Sequence, residues 1–357
     1  MHEFFMKMAL DLAIKAKGRT SPNPMVGALV VNEGAVVGTG YHKKAGTPHA
    51  EVEAITAASG KTNNATLYVT LEPCTHFGRT PPCTDAIIRA GLKRVVIATL
   101  DPNPLVSGKG VERLKRAGIE VSVGVLEEEA KRLNEDFFTY ITQKRPYITL
   151  KWAQSIDGSM ATKTGDSKWI SSQESRDFAH RLRAEATAVL VGINTALRDD
   201  PELTIRAFPW ERQPIRIVLD PQLRIREDLK LIRDGKASTI IITASENREK
   251  IQRLEEMGVK VLLAPSKDGR LDLREVLREL YFMEIMHLLV EGGSITHTTF
   301  IREGLFDRLW VFVAPLLIGE GKRIGELNVE ALQEAKRLRL REIKRFGEDV
   351  ALEYLNL

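Results

Sequence analysis

The sequence predicts an α/β fold divided between two domains, and three observations carry that reading. Short runs rich in valine, isoleucine and leucine alternate with amphipathic stretches of helical period along the whole chain. The alternation breaks once, at KRP, where Pro146 stops a helical stretch and holds its neighbour extended. The chain is 357 residues long, which suits two domains at ~150 residues each. The expected domains are 1–145 and 146–357.

In the first half, Phe4, Phe5, Met8, Leu12 and Ala16 recur at helical spacing, so the chain opens on an amphipathic helix. Asp11 interrupts that stretch, which reads as the first helix of a cytoplasmic protein and not as a secretory leader. MVGALVV and GAVVGTGYH pair as a hairpin. PHAEVEAITAAS is a helix, ATLYVTLEP a strand, CTDAIIRAG a helix ended by Gly91, and KRVVIATLDP a strand. VERLKRAG is a helix, IEVSVGVL a strand, and EEEAKRLNEDFFTYITQ one long helix.

The second half restarts with the strand YITLKWAQS. Ser171 and Glu174 suggest a capping box for the helix QESRDFAHRLRAEA. TAVLVGI, PIRIVLD, STIIITA and VKVLLAP are strands, and REKIQRLEEMG and DLREVLRELYF are helices. HLLVEGG is a strand running into glycines, followed by the helix SITHTTFIREG and the long strand DRLWVFVAPLLIG. The basic run near residue 340 alternates with Leu338 and Leu340 and fits one strand of a terminal hairpin with a solvated basic face. The sheet is mainly parallel, and the halves do not resemble each other.

Composition excludes several classes. Apolar content of 43% and charged content of 28% are ordinary for a globular protein. No stretch approaches the roughly 18 consecutive apolar residues of a membrane span. A net charge of +4, spread along the chain, suits a phosphorylated small substrate as well as a nucleic acid. Two cysteines, Cys74 and Cys83, are too few for a disulfide framework.

Those cysteines carry the chemistry. His49 and Glu51 form an H-x-E at the start of a helix. Downstream, Pro73-Cys74 follows a strand and Pro82-Cys83 opens a helix. A zinc site that does chemistry needs three protein ligands and one open position, and His49, Cys74 and Cys83 supply that count. At a helix N-terminus the Cys83 thiolate is favoured by the N–H groups there. Glu51 would stand beside the site without ligating it, placed to carry a proton between water and a leaving nitrogen. This is the logic of the zinc base deaminases, with their H-x-E followed by P-C-x-x-C. Here THFGRTPP, eight residues, separates the cysteines instead of two. A buried structural cysteine pair is the competing reading.

PHAE, EPCTHFGRTPPCTDAI and DPNPLVSGKG resemble the deaminase half of the bifunctional deaminase–reductase family of riboflavin biosynthesis, in which the long spacing is the normal form. YITLKWAQSIDGSMAT, SKWISS, RDDPELTIR and VEGG resemble its reductase half, so the likeness covers the whole chain. The resemblance implies a cytidine-deaminase-like α/β/α layered domain followed by a dihydrofolate-reductase-like α/β domain. It implies zinc-dependent deamination of diaminohydroxyphosphoribosylaminopyrimidine, then NADPH-dependent reduction of the ribosyl chain to ribityl. Asn23, His42, Arg79, Asp101, Asn103 and Ser107 match positions that hold the ring, ribose or phosphate. An amide at Asn23 offers donor and acceptor to a ring edge, and Arg79 suits phosphate. Without the resemblance, Asp101 and Asn103 read first as turn residues. His76 is left between a supporting role at the metal and a loop position.

The second half has no G-x-G-x-x-G. The glycines before Ser294 let the chain turn close to a ligand, and the following helix start offers N–H groups to phosphate. The resemblance makes Ala153, Trp169, Thr195, Asp199, Gly293 and Ser294 cofactor-binding positions. It places Lys151 and Asp199 near the reacting sugar or nicotinamide. Ser167, Arg183, Leu203, Arg206 and Glu291 match substrate positions, two arginines and a hydroxyl suiting a phosphate. Arg183 by itself reads as part of a solvated helix face, and Trp152 as core. A homo-oligomer, dimer or tetramer, is expected. The alternative is a nucleic-acid base deaminase carrying a non-catalytic oligomerisation domain. It would need stacking aromatics beside basic residues, and aromatic content is only 6%, with none clustered at the zinc motif.

Overall fold

The structure is a computed structural model that describes residues 1–75, 81–104 and 106–357. It falls into two compact units, Met1–Arg145 and Pro146–Leu357.

The first unit runs α1 (His2–Ala13), β1 (Gly27–Asn32), β2 (Ala35–Tyr41), α2 (Ala50–Ala57), β3 (Thr66–Leu71), α3 (Cys83–Arg89), β4 (Arg94–Thr99), α4 (Lys109–Arg116), β5 (Glu120–Val123), α5 (Glu127–Leu133) and α6 (Glu135–Gln143). Its five-stranded sheet has the order β2-β1-β3-β4-β5. β1 is antiparallel to β2 and β3, and β3, β4 and β5 are parallel. β1, β3 and β4 are buried on both faces, as a layered fold requires.

Close approach sets two helix positions. A Cβ at Gly27 would stand 2.0 Å from the Ala9 carbonyl oxygen, so α1 lies directly on β1. The buried face of α1 is therefore Phe5, Met6, Ala9, Leu10 and Ala13, and Phe4, expected in the apolar stripe, is exposed. A Cβ at Gly40 would stand 2.4 Å from the Ala50 carbonyl oxygen, which lets the start of α2 press onto β2. That contact brings His49 beside His42, with ring centroids 5.2 Å apart.

The single helix expected over 127–143 is two, broken at Asn134. The buried Asn134 amide accepts from the Met25 N–H (2.7 Å) and donates to the Met25 carbonyl (2.9 Å). A distant partner thus decides a break that local propensity does not show.

The second unit contains β6 (Tyr147–Ser155), α7 (Gln173–Glu185), β7 (Ala188–Gly192), α8 (Ile193–Asp199), β8 (Ile215–Leu219), β9 (Thr239–Thr243), α9 (Arg248–Glu256), β10 (Lys260–Leu263), α10 (Leu273–Phe282), β11 (His287–Gly292), α11 (Ser294–Arg302), β12 (Arg308–Ala314), β13 (Leu338–Phe346) and β14 (Asp349–Asn356). The nine-stranded sheet has the order β10-β9-β8-β7-β11-β6-β12-β14-β13. All pairings from β10 to β12 are parallel, and the terminal hairpin is antiparallel.

Each face of this sheet carries its own core. Ile148, Leu150, Trp152, Leu288 and Val290 pack on one side. Leu289, Val189, Val191 and Phe312 pack on the other. Strand alternation therefore sends Lys151 and Glu291 to the second face, while Trp152 joins the first core. Three details depart from the sequence reading. β12 ends at Ala314, well before Gly319. The seven-residue α8 carries no side-chain cap and has no sequence signal. α7 is capped by Ser172, not Ser171: Ser172 Oγ accepts from the Ser175 N–H, and the Asp349 carboxylate on β14 holds both the Ser172 N–H and the Ser175 hydroxyl. Among the described residues no helix is long and apolar enough to cross a membrane.

Candidate active sites

His49 is the N-cap of α2 and Glu51 lies in its first turn. Cys83 is the first residue of α3, and Cys74 lies three residues beyond the end of β3. The fold brings them together: His49 Nδ1 is 3.1 Å from Cys83 Sγ and 3.7 Å from Cys74 Sγ. All three donor atoms lie within 4.8 Å of one another. Tetrahedral zinc at ordinary bond lengths sets its N and S ligands roughly 3.5–3.8 Å apart, close to these spacings. One imidazole and two sulfurs also form a soft donor set suited to zinc. The residues fit the ion.

The two thiols are shifted in opposite directions. A hydrogen bond with Cys83, aided by His49 and the Cys83 N–H at 3.3 Å, draws the Cys74 thiol down to about 4. The Cys83 thiol, expected as the favoured thiolate at the α3 N-terminus, is instead pushed up by that same bond and by burial beside Glu51, which outweigh the helix N–H groups. The bond to Cys74 raises His49. Burial raises the Glu51 carboxyl to about 7, against the pull of His49. Glu51 is only 3% exposed and packs at the cluster without belonging to the donor set.

Around this centre, the Asn23 amide donates to His42 Nε2 at 3.1 Å, and His42 Nδ1–H donates to the Pro48 carbonyl at 3.3 Å. Those partners select the neutral tautomer, and burial lowers the His42 pKa. Asp101 Oδ1 accepts from the Asn103 N–H at 2.8 Å, and Ser107 N–H donates to the Asn103 carbonyl at 2.8 Å. The turn geometry anticipated for Asp101 and Asn103 is therefore present. Arg79 and His76 lie outside the described residues.

In the second unit, a cleft of about 300 Å³ opens at the ends of β6 and β11. Lys151, Ala153 and Glu291 line it from these strands. Ser167, Trp169, Arg183 and Arg206 line it from the surrounding segments, and Thr195 and Asp199 from α8. Gly293 and Ser294, at the start of α11, line both this cleft and a neighbouring one of about 580 Å³, as does Thr195. A Cβ at Gly293 would stand 2.9 Å from Thr195 Oγ1, and Gly292 has φ +153°, so both positions favour glycine. Leu203 is not brought to the cleft by its side chain, which is buried in the core on the Lys151 face.

Arg183 is not on a solvated face. Its guanidinium forks onto Glu291, with Nε–Oε1 at 2.6 Å and Nη2–Oε2 at 2.7 Å, and donates to the Thr204 carbonyl at 2.9 Å. Burial raises the Glu291 pKa, but Arg183 and Lys151 outweigh it and hold the carboxyl at about 2. Burial also lowers Lys151, which lies 5.3 Å from the Phe312 ring centroid, and raises Asp199. Trp169 is exposed and stacks under the Arg176 guanidinium at 4.4 Å.

The sign of the Glu291 effect is fixed by its depressed value. A carboxyl at 4.5 unfolded and about 2 folded stabilises fully above pH 4.5 and loses that contribution as pH falls toward 2. The contribution is on the order of 3 kcal/mol. Urea midpoints of wild type and Glu291→Gln should differ most at pH 6 and converge toward pH 3. A gap that does not change with pH would contradict the ion pair.

Sequence reasoning missed three kinds of residue. Buried Glu72 accepts four backbone N–H groups near the first site. His180 lines the cleft of about 300 Å³ in the second unit as a neutral imidazole, pushed down to about 4 by burial and by Arg183 and Arg206. Arg198 and Lys322 line both clefts of the second unit. Only Glu72 had a signal, as an acid in an otherwise apolar strand exit just before Pro73-Cys74.

Comparison with known proteins identifies both units. A family model described as the cytidine and deoxycytidylate deaminase zinc-binding region matches residues 1–99, and one described as the RibD C-terminal domain matches 146–352. The riboflavin biosynthesis protein RibD of Aquifex aeolicus is 60% identical over 348 residues, covering 98% of this chain and 96% of that protein. RibD of Escherichia coli is 41% identical, covering 98% of each. Among solved structures, Acinetobacter baumannii RibD superposes with a TM-score of 0.92 at 35% identity, over 100% of this chain and 99% of that one. A diaminohydroxyphosphoribosylaminopyrimidine deaminase/5-amino-6-(5-phosphoribosylamino)uracil reductase from Thermotoga maritima gives 0.87 at 38% identity with the same coverage. With relatives of this identity matched over nearly their full length, the chain belongs to the RibD family of bifunctional riboflavin-biosynthesis enzymes, which join a zinc-binding deaminase to a reductase.

Proposed function

We propose that the unit Met1–Arg145 deaminates diaminohydroxyphosphoribosylaminopyrimidine and that Pro146–Leu357 reduces the product, 5-amino-6-(5-phosphoribosylamino)uracil, with NADPH. The observation that carries this reading is the cluster of His49, Cys74 and Cys83 with the buried Glu51 beside it. A nucleic-acid base deaminase is the weaker reading, since the family relatives share both halves of this chain.

His49, Cys74 and Cys83 would hold zinc. When bound there, zinc supplies a Lewis acid that makes water nucleophilic near neutral pH. Glu51 takes the proton of the attacking water and returns it to the departing amino nitrogen. Its carboxyl, raised by burial, suits a group that must both accept and give at neutral pH. Asn23 and His42 hold the ring edge. Asp101, Asn103, Ser107 and Arg79 hold the phosphoribosyl end.

In the second cleft, Ala153, Trp169, Thr195, Gly293 and Ser294 would hold the cofactor, with the α11 N-terminus offering N–H groups to a phosphate. NADPH supplies a hydride for the sugar C1′. Lys151, with its pKa lowered by burial, gives a proton to the ring oxygen as the sugar opens. Asp199 orients the reacting groups from the end of α8. Ser167, Arg183 and Arg206 form the substrate side, with Glu291 fixing Arg183. On this reading the protein is a cytoplasmic homo-oligomer, dimer or tetramer.

A split assay tests this reading. Ammonia release and NADPH oxidation are recorded separately on the full chain before and after zinc is removed with a chelator. Stripped protein should release no ammonia yet oxidise NADPH when given the deaminated intermediate. Ammonia release that persists without zinc would refute the first site.

A further inference from the structure

Glu72 lies just past the end of β3, two residues before Cys74, and is 4% exposed. An ionised carboxylate offers about four lone-pair sites, and here four backbone N–H groups fill them. Oε2 accepts from Asp101 at 3.3 Å and Gly108 at 2.9 Å. Oε1 accepts from Gly110 at 2.9 Å and Val111 at 3.1 Å. The chain comes this close only because Gly110 has no side chain: a Cβ there would stand 2.3 Å from the Pro73 carbonyl oxygen.

Two of these donors belong to the first turn of α4, and a helix cap would explain them. The N–H of Gly108, the N-cap, belongs to the same open helix end. The Asp101 N–H does not: it lies at the far end of the loop, and a cap alone leaves its bond unexplained. The carboxylate therefore closes a ring, joining the start of the segment to its end. Inside that ring, the Asn103 N–H bonds Asp101 Oδ1, and the Val106 and Ser107 N–H groups bond the Asn103 carbonyl, each at 2.8 Å. The same strand exit that delivers Cys74 to the metal cluster thus shapes the segment carrying Asp101, Asn103 and Ser107.

We propose that Glu72 is a positioning residue for the first site, holding this segment at a set distance from the metal cluster so that it fits the substrate's phosphoribosyl group. The proposal rests on the deaminase reading above. A glutamine cannot take its place, because an amide has one acceptor oxygen and would turn an NH₂ toward two of the four donors.

The test uses the full zinc-loaded chain and two probes, diaminohydroxyphosphoribosylaminopyrimidine and the same compound after phosphatase treatment. In Glu72→Gln, KM for the phosphorylated compound should rise about tenfold or more, since bonds to a charged acceptor are lost. Its kcat should fall less than about threefold, since the reacting groups are untouched. The preference for the phosphorylated probe should narrow by the same factor as KM rises, and zinc content should stay at the wild-type level. Glu72→Asp, which keeps both oxygens on a shorter stem, should recover part of the preference, and it reads the same ratio if the glutamine variant is insoluble. A lower melting temperature with KM and phosphate preference unchanged would overturn the proposal and leave Glu72 as a structural brace. If wild type itself releases no ammonia from either probe, the deaminase reading falls and this proposal with it. A working wild type beside an unaffected variant removes only the Glu72 assignment.

Discussion

Glu51→Gln is expected to lower ammonia release by about 10²–10⁴-fold, the range for removing a positioned acid–base group. NADPH oxidation of the deaminated intermediate should not change. The variant keeps the volume of the side chain and removes only its ability to exchange a proton. Glu51 is outside the donor set of His49, Cys74 and Cys83, so zinc content should also be retained. The fold should tolerate the change, because burial opposes the charged form of this carboxyl and a neutral amide removes that cost. Ammonia release, bound zinc and melting temperature measured on one preparation separate the outcomes. Release within about tenfold of wild type, with zinc bound, would rule out Glu51 as the proton carrier.

The second large effect is expected at Arg183. Arg183→Met leaves the Glu291 carboxylate, 10% exposed in its side chain, with its fork removed. Breaking one partner of such a pair costs about 3–5 kcal/mol, and a unit of this size should then melt about 6–20 °C lower. NADPH-dependent reduction should be lost while ammonia release continues. The double variant Arg183→Met/Glu291→Leu should recover most of the stability, since no unpaired charge remains, but none of the reduction. Recovery of reduction in the double variant would show that the pair braces the fold and does not hold substrate. A stability loss no smaller in the double variant would show that packing of the arginine, not its charge, is what matters.

The two sites were legible to different degrees. The metal cluster could be read because its chemistry is carried by rare residue types. With only two cysteines in the chain, each beside a proline at an element edge, the donor set had few alternatives. His49 and Glu51 are close in sequence, so a helix start was enough to place both. The fork between Arg183 and Glu291 joins residues 108 apart, and no local pattern couples them. Arginine on a helix reads as solvated until its partner is known. Lys151 was visible as an odd charge on an apolar strand, but its environment depends on the register of β6 with β11 and β12.

Local sequence by itself determined the alternation of strands and helices, the break at Pro146, the terminal hairpin and the three residues of the candidate metal cluster. Each follows from periodicity, from the fixed φ of proline or from the scarcity of a residue type. Tertiary structure alone decided the break of the helix at Asn134, which needs the Met25 backbone as partner, and the cap at Ser172, which needs Asp349. It decided which face of α1 is buried, through the approach of Ala9 to Gly27, and it gave Glu72 its four donors. At Asn134, Ser172 and Glu72 a buried polar or backbone group must find a partner, and the partner lies far along the chain; the face of α1 is set by close packing against a strand that only the fold brings near.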